Sequence, residues 1–267
     1  MKFVELAPPA PLRPYVRLIW CLEIDTPGEF GPPERIAPDG IVELVFHYGD
    51  EMSLRFAGDD FAPQPRSSLV GQTRRYLEIH PRRATGLVSV RFRPWGALHF
   101  LGMPVSELAD RVVPAGDVWG PAAVELEERL AAAGGLDERV AHIRRFLLDR
   151  LRPRREGEVA EAVRTVWRHR GHVRASRLYR ELGVSPRTAQ RIFRAAVGMP
   201  PKSYARLVRF LHACSVLRES DCSSLTEVGY ACGYYDQAHF IADFKALSGM
   251  TPGAFVDGRA LSFLSVE

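Results

Sequence analysis

Apolar residues return every three to four positions through the C-terminal part of the chain. In Pro186–Val197, Ala189, Ile192, Phe193, Ala196 and Val197 carry the i, i+3, i+4, i+7, i+8 spacing of a buried helix face. The opposite face holds Arg187, Thr188, Gln190, Arg191 and Arg194, with no acid among them. Ser185 stands where a cap accepts orphan N–H groups, Pro186 fits the first helical position, and Gly198 supplies a left-handed stop. A shorter helix before Gly183 completes the pattern from Leu178 to Gly198: helix, tight turn, helix.

The pattern recurs 51 residues downstream, where Phe193, Ala195, Gly198, Met199 and Pro201 are matched by Phe244, Ala246, Gly249, Met250 and Pro252. In the second copy Ser224 and Glu227 have capping-box spacing, and Asp236 is placed to cap the second helix. Pro201 to about Arg218 reads as a connecting helix with Tyr204, Leu207, Val208 and Leu211 on one face. At 1.5 Å per residue it is roughly 27 Å long. That length suits two readers set ~34 Å apart, the separation of successive major grooves on one side of a duplex. Standing alone, the first copy has a lesser alternative as a solvated helix with a basic face; the tandem repeat favours the reader further.

The first ~115 residues change texture to short β-rich runs between Pro and Gly: Tyr15–Ile24, Ile41–Tyr48, Met52–Phe56, Tyr76–His80 and Leu87–Arg93. They predict a small sandwich or barrel. A helix-like segment is expected from Pro94, another short helix over Val105–Ala109, and amphipathic helices over Pro121–Ala133 and Leu136–Leu151. Val124, Leu126 and Leu130 give the first helix an apolar side; Val140, Ile143, Phe146, Leu147 and Leu151 stripe the second. Two uses of those stripes stay open, packing on the barrel and a homodimer interface. The fold class is therefore α+β, with a β-rich part over 1–151, a polar spacer at 152–158, an all-α part over 159–257 and a tail at 258–267.

Charge sharpens the division. The whole chain of 267 residues carries +4, but residues 1–151 carry −3 and residues 152–259 carry +8. A basic half beside a mildly acidic one is the footprint of a nucleic-acid reader joined to something else. No apolar run reaches the ~18 residues of a membrane span, and no signal-peptide pattern opens the chain, so no membrane partner and a cytoplasmic location are expected.

The motifs VSPRTAQRIFRAAVGMPPKSYARLVR and VGYACGYYDQAHFIADFKALSGMTPGAF, within about 160–257, resemble the DNA-binding domain of AraC/XylS-type transcriptional regulators. That resemblance implies two helix-turn-helix units at 173–198 and 224–248, double-stranded DNA as partner, and RNA polymerase and a second copy of the chain as further candidate partners. It places base reading in the first unit on Arg187, Gln190 and Arg191. The chemistry agrees, since Arg pairs with guanine O6/N7 and Gln with adenine. In the second unit Ala242 and Asp243 depart from the family pattern, leaving Gln237, His239 and Lys245 as polar candidates. Gln237 is assigned to bases, and Thr188, Arg194, Lys202, His239 and Lys245 to phosphate or peripheral contact. The blocks PDGIVELVFHYGD and VSVRFRPWGALHFLG resemble the cupin-like N-terminal domain of one subgroup of these regulators, which implies a small-molecule effector. Trp20, His47, Arg91, Arg93 and Trp95 are candidate lining residues; a packed barrel in which they are structural is an equal alternative.

Enzymatic readings find little footing. His47, His80, His99 and Glu43 are scattered without metal-ligand spacing, so no metal or cofactor is expected. Cys21, Cys214, Cys222 and Cys232 form no CxxC, and Cys214 and Cys232 read as buried small hydrophobes. Two rivals to the regulator stay in view: a DNA-targeted enzyme such as an alkyl-transfer repair regulator, with Cys21 as its nucleophile, and a non-specific architectural DNA-binding protein.

Overall fold

The computed structural model describes residues 1–25, 32–82, 84–154, 157–219, 224–258 and 261. Residues 155 and 156 of the spacer, Cys222, and all of the tail except 258 and 261 lie outside the described residues.

The N-terminal half is built on strands β1 (Lys2–Leu6), β2 (Val16–Glu23), β3 (Glu34–Ile36), β4 (Glu43–His47), β5 (Ser53–Phe56), β6 (Ala62–Pro63), β7 (Ser67–Val70), β8 (Leu77–His80), β9 (Gly86–Phe92) and β10 (Val112–Pro114). They make two antiparallel sheets, β1-β2-β9-β4-β7-β10 and β3-β8-β5-β6. Each of the five runs predicted from sequence coincides with a strand to within two residues at either end, β9 beginning one residue early, at Gly86. β1, β3, β6, β7 and β10 are additions. β7 is central yet reads SSLV, because its buried serines are satisfied: Ser67 donates to Glu127, and Ser68 Oγ accepts from Gln64 Nε2 at 3.2 Å.

The strand β9 has no exposed residue, as a strand covered on both sides requires. Its Leu87 joins Trp20, Val45 and Met52 on the side facing the second sheet, whose Ile36, Leu54 and Leu77 form the opposing wall. Its Val88, Val90 and Phe92 join the main core instead. After Phe92 the segment read as helical makes only a 3-10 turn (Ala97–His99), and a second such turn covers Val105–Glu107.

Helices α1 (Ala115–Trp119), α2 (Pro121–Ala132) and α3 (Leu136–Arg150) then cover the larger sheet. Leu126, Leu130, Val140, Ile143, Phe146 and Leu147 are all buried, and the Phe146 ring meets Phe46 of β4 edge to face at 6.3 Å. The stripe is thus spent on packing within the chain. Val124, assigned to that stripe, is instead 48% exposed.

The C-terminal half comprises α4 (Gly157–Arg168), α5 (Ala175–Glu181), α6 (Pro186–Val197), α7 (Pro201–Glu219), α8 (Leu225–Ala231), α9 (Gln237–Ser248) and α10 (Pro252–Val256). Helix α4 begins inside the stretch read as spacer, because Val159, Ala160, Ala162, Val163 and Val166 give it a buried face from its first turn. Helix α7 is the keel. Its Tyr204 meets Phe193 of α6 at 5.8 Å, and its Phe210 meets Phe244 of α9 at 5.1 Å. Spanning 19 residues, it is roughly 28 Å long.

The halves are not loosely tethered. One core cluster runs from Leu12 through α6, α7 and α9. The 72–76 segment after β7 touches both stops of the repeated units. A Cβ at Gly198 would meet Gln72 Oε1 at 3.0 Å, and one at Gly249 would meet the Tyr76 ring at 2.1 Å. Both glycines also hold positive φ, +85° and +73°, which favours glycine at each, and at Gly249 the Tyr76 ring fills the space of a side chain as well.

Candidate nucleic-acid interface

Helix α6 starts as its sequence dictates. Ser185 Oγ accepts the Thr188 N–H at 3.4 Å and donates to Thr188 Oγ1 at 3.1 Å, and the Gly198 N–H donates to the Arg194 carbonyl at 2.9 Å. Ala189, Phe193, Ala196 and Val197 are buried, while Ile192 is half-buried. Arg187, Gln190, Arg191 and Arg194 are exposed; Thr188 is half-buried with its hydroxyl engaged in the cap. Gln190 Nε2 donates to the Tyr179 hydroxyl at 3.0 Å, which ties that amide to α5. The nearby acid Glu181 pairs with Arg177 at 3.3 Å. Among the described residues, no carboxylate pairs with Arg187, Arg191 or Arg194. Three guanidiniums on one short face therefore keep their forks available for an outside acceptor.

The second unit repeats the architecture with weaker charge. Ser224 Oγ accepts the Thr226 N–H at 3.2 Å, and Asp236 Oδ1 accepts the His239 N–H at 2.7 Å. Gln237, His239, Ala242 and Lys245 are exposed on α9, and Gln237 Oε1 accepts from Thr226 Oγ1 at 3.1 Å. Asp243, the odd acid in the motif, faces away from solvent and bonds Arg206 of α7 at 2.5 Å. Its place in the motif is thereby explained: it anchors α9 to the keel. Lys202 is exposed at the start of α7, in a groove shared with Arg174 and Arg209, and that groove contains no residue of α6.

Tyr230 and Tyr235, on α8 and in the following turn, are 60% and 85% exposed, and sequence reasoning passed over both. The available signal was a pair of tyrosines at the turn, Tyr234-Tyr235, of which only Tyr234 is buried in the core.

In the N-terminal half the five candidate lining residues divide. Trp20 lines a largely apolar cavity of about 250 Å³ between the two sheets, together with Asp39, Glu43, Gln64 and Leu87. His47 is buried beside it, its Nε2 3.2 Å from Gln64 Oε1. Arg91 is buried in an ion pair with Asp39 and lies 4.0 Å from Glu43, its register partner across β9 and β4. Glu43 Oε1 accepts from Trp20 Nε1 at 2.5 Å and from Ser89 Oγ at 2.9 Å. Burial raises the Glu43 carboxyl above its ordinary range, against the pull of Arg91 and those donors. Arg93 and Trp95 do not join this group. β9 ends at Phe92, the chain turns outward there, and both side chains line a separate groove against α4.

Residues 178–258 match a family described as a helix-turn-helix domain, and residues 4–114 match a domain family of unknown function. The chain is similar to the HTH-type transcriptional regulator GlxA of Rhizobium meliloti, 40% identical over 72 residues, which are 27% of this chain and 22% of that protein. It is also similar to the HTH-type transcriptional activator RhaS of Salmonella arizonae, 33% identical over 79 residues, which are 30% of this chain and 28% of that one. Residues 178–258 are an AraC-type helix-turn-helix domain. The chain spans less than a third of the length of these relatives. A solved structure of ToxT from Vibrio cholerae aligns over 90% of this chain and 98% of that one, at 9% identity and a TM-score of 0.46.

Outside the AraC-type domain, Cys21 is buried and its thiol is pushed up to about 11, mainly by burial and then by Glu23. Burial pushes the Cys214 thiol up as well, within the domain. Neither microenvironment favours the thiolate that nucleophilic transfer needs. Among the described residues, no three His, Cys, Asp or Glu side chains converge as metal ligands do, and no helix is long and apolar enough to cross a membrane.

Proposed function

We propose that the protein is a sequence-specific DNA-binding transcriptional regulator that reads successive major grooves with α6 and α9. The carrying observation is the exposed, unpaired guanidinium face of α6, backed by Phe193 and set on the keel that also holds α9. In this reading Arg187, Gln190, Arg191 and Gln237 meet base edges. Thr188, Arg194, Lys202, His239 and Lys245 hold phosphates or the periphery. Gln190 and Gln237 each give up one hydrogen bond, to Tyr179 and Thr226, when they turn to a base.

The N-terminal half acts as the controlling part, through a small-molecule effector in the cavity beside Trp20. Its contacts with Gly198 and Gly249 reach the back of both reading units, which supports control by domain packing. The chain works in the cytoplasm as a binding protein without a catalytic role. RhaS is named an activator, and activation through RNA polymerase is the matching proposal here. A second copy would cover the exposed Val124 and Leu148 of α2 and α3 and double the phosphates neutralised.

Selection of bound sequences from a random duplex pool tests the reading. A recovered motif with two conserved blocks about one helical turn apart is expected. Recovery of no motif, with retention of every sequence alike, describes an architectural protein and overturns it.

A further inference from the structure

Where the two halves meet, Arg13, Arg93, Trp95, His99, Arg154 and Arg164 line an open groove of about 510 Å³. The guanidiniums of Arg93, from the end of β9, and Arg164, from α4, lie 6.0 and 5.4 Å from the centroid of the same Trp95 ring. A cation–π contact stabilises each guanidinium but leaves its charge in place. Arg93 is half-buried, and burial and then Arg164 depress its ordinary basicity, as two cations brought together require.

Counter-charge is scarce. Arg164 pairs with Glu161 at 2.9 Å, a contact that both side chains make at the exposed surface of α4. Among the described residues, the other three side chains hydrogen-bond carbonyls alone: Arg13 Nε to Pro8, Arg93 Nε to Arg13, and Arg154 to Leu101. Among the described residues lining the groove there is no carboxylate. His99 adds no acceptor for these cations, because its Nδ1 already accepts the Arg154 N–H at 3.1 Å and its other ring nitrogen carries the proton. Gly157, the first residue of the 12-residue helix α4, also lines the groove and contributes that helix's positive end.

Converging guanidinium forks in a groove whose described lining holds no carboxylate are complementary to one class of occupant. We propose that this groove binds a small multivalent anion, a phosphorylated or polycarboxylate metabolite, held by Arg93 and Arg164 across the junction of the two halves. The anion neutralises the pair and ties the end of β9 to α4. This site contains no residue of α6 or α9, so it stands or falls apart from DNA reading.

The test uses the full chain, with pyrophosphate as the phosphate probe and citrate as the carboxylate probe, in calorimetric titrations and thermal melts at ionic strength matched with sodium chloride. At least one probe is expected to bind one per chain and to raise the melting temperature. Arg93→Gln and Arg164→Gln should each weaken it by about tenfold or more, while Arg191→Gln leaves it unchanged. Pyrophosphate binding alone identifies a phosphorylated ligand, and citrate binding alone a polycarboxylate. Arg164 is exposed, so its variant carries the test even where Arg93→Gln fails to fold. The proposal is overturned by no binding beyond chloride, by equal weakening in Arg191→Gln, or by full-strength binding to Arg164→Gln. It is also overturned where Arg164→Gln weakens duplex DNA binding and neither probe binds, since the groove then grips the DNA backbone.

Discussion

The backbone N–H of Tyr76, at the foot of β8, donates to the carbonyl of Leu247 near the end of α9 at 2.8 Å. The same residue seats its ring against Gly249, the stop of that helix. Four residues earlier Gln72 rests against Gly198, the stop of α6, and donates from Nε2 to the Gly40 carbonyl at 2.9 Å. One short segment of the β-rich half thus touches the C-terminal ends of both α6 and α9. Thr73 and Leu77 of the same stretch line the cavity between the sheets. Occupancy of the cavity and the relative placement of α6 and α9 therefore share a mechanical part.

Gly249→Ala should cost distinctly more stability than Gly183→Ala. Both positions have positive φ, +73° and +64°, and each substitution carries backbone strain of about 1 kcal/mol. Only Gly249 also has the Tyr76 ring in the space of the new methyl; nothing lies within 4 Å at Gly183. Urea denaturation of the two variants compares them directly. Equal losses would mean that the Tyr76 contact does not hold the halves together.

Asp243 is 8% exposed and its partner Arg206 belongs to α7, so removing Arg206 leaves a carboxylate without its cation at the base of α9. Arg206→Ala should destabilise by about 1–3 kcal/mol, less than a fully enclosed pair because Arg206 is itself half in solvent. Adding Asp243→Ala should recover part of that loss. A double-mutant cycle with no coupling would remove the ion pair from the account of how the second unit is anchored.

Acid should loosen the fold before it unfolds most carboxylate pairs. Burial holds His47, His99, His172 and His212 below their ordinary value of 6.5. The unfolded chain therefore binds more protons at mildly acid pH, and this stabilisation is present above about 6.5 and lost as pH falls below it. Glu43, raised by burial, pulls the other way, so the histidines set the slope only as far as they outweigh it. The melting temperature should drop between pH 7 and pH 5.5, and His99→Gln should flatten the slope, since it removes the ring that accepts the Arg154 N–H. A flat profile in the unsubstituted protein would contradict this.

The C-terminal half was legible because each local rule points the same way there: the Ser185 and Asp236 caps, the stops at Gly198 and Gly249, and the apolar period of α6. The N-terminal half was legible only where apolar runs were long. β7 hid because its serines are satisfied by Glu127 and Gln64, partners far away in sequence or across a turn. The lining set failed as a unit for a similar reason. Arg91 and Arg93 look equivalent along the chain, but β9 ends between them and sends one to Asp39 and the other to α4. Asp243 looked like damage to a reading face until its pairing with Arg206 was visible.

Binding of Arg191→Ala to a selected duplex, to that duplex with single base pairs exchanged, and to random duplex tests base reading by α6 most directly. The expected loss is about 1–3 kcal/mol on the selected site, with discrimination relaxed at one base pair and little change on random duplex. Equal weakening on selected and random duplexes would show that Arg191 only neutralises phosphate, and would contradict base reading by α6.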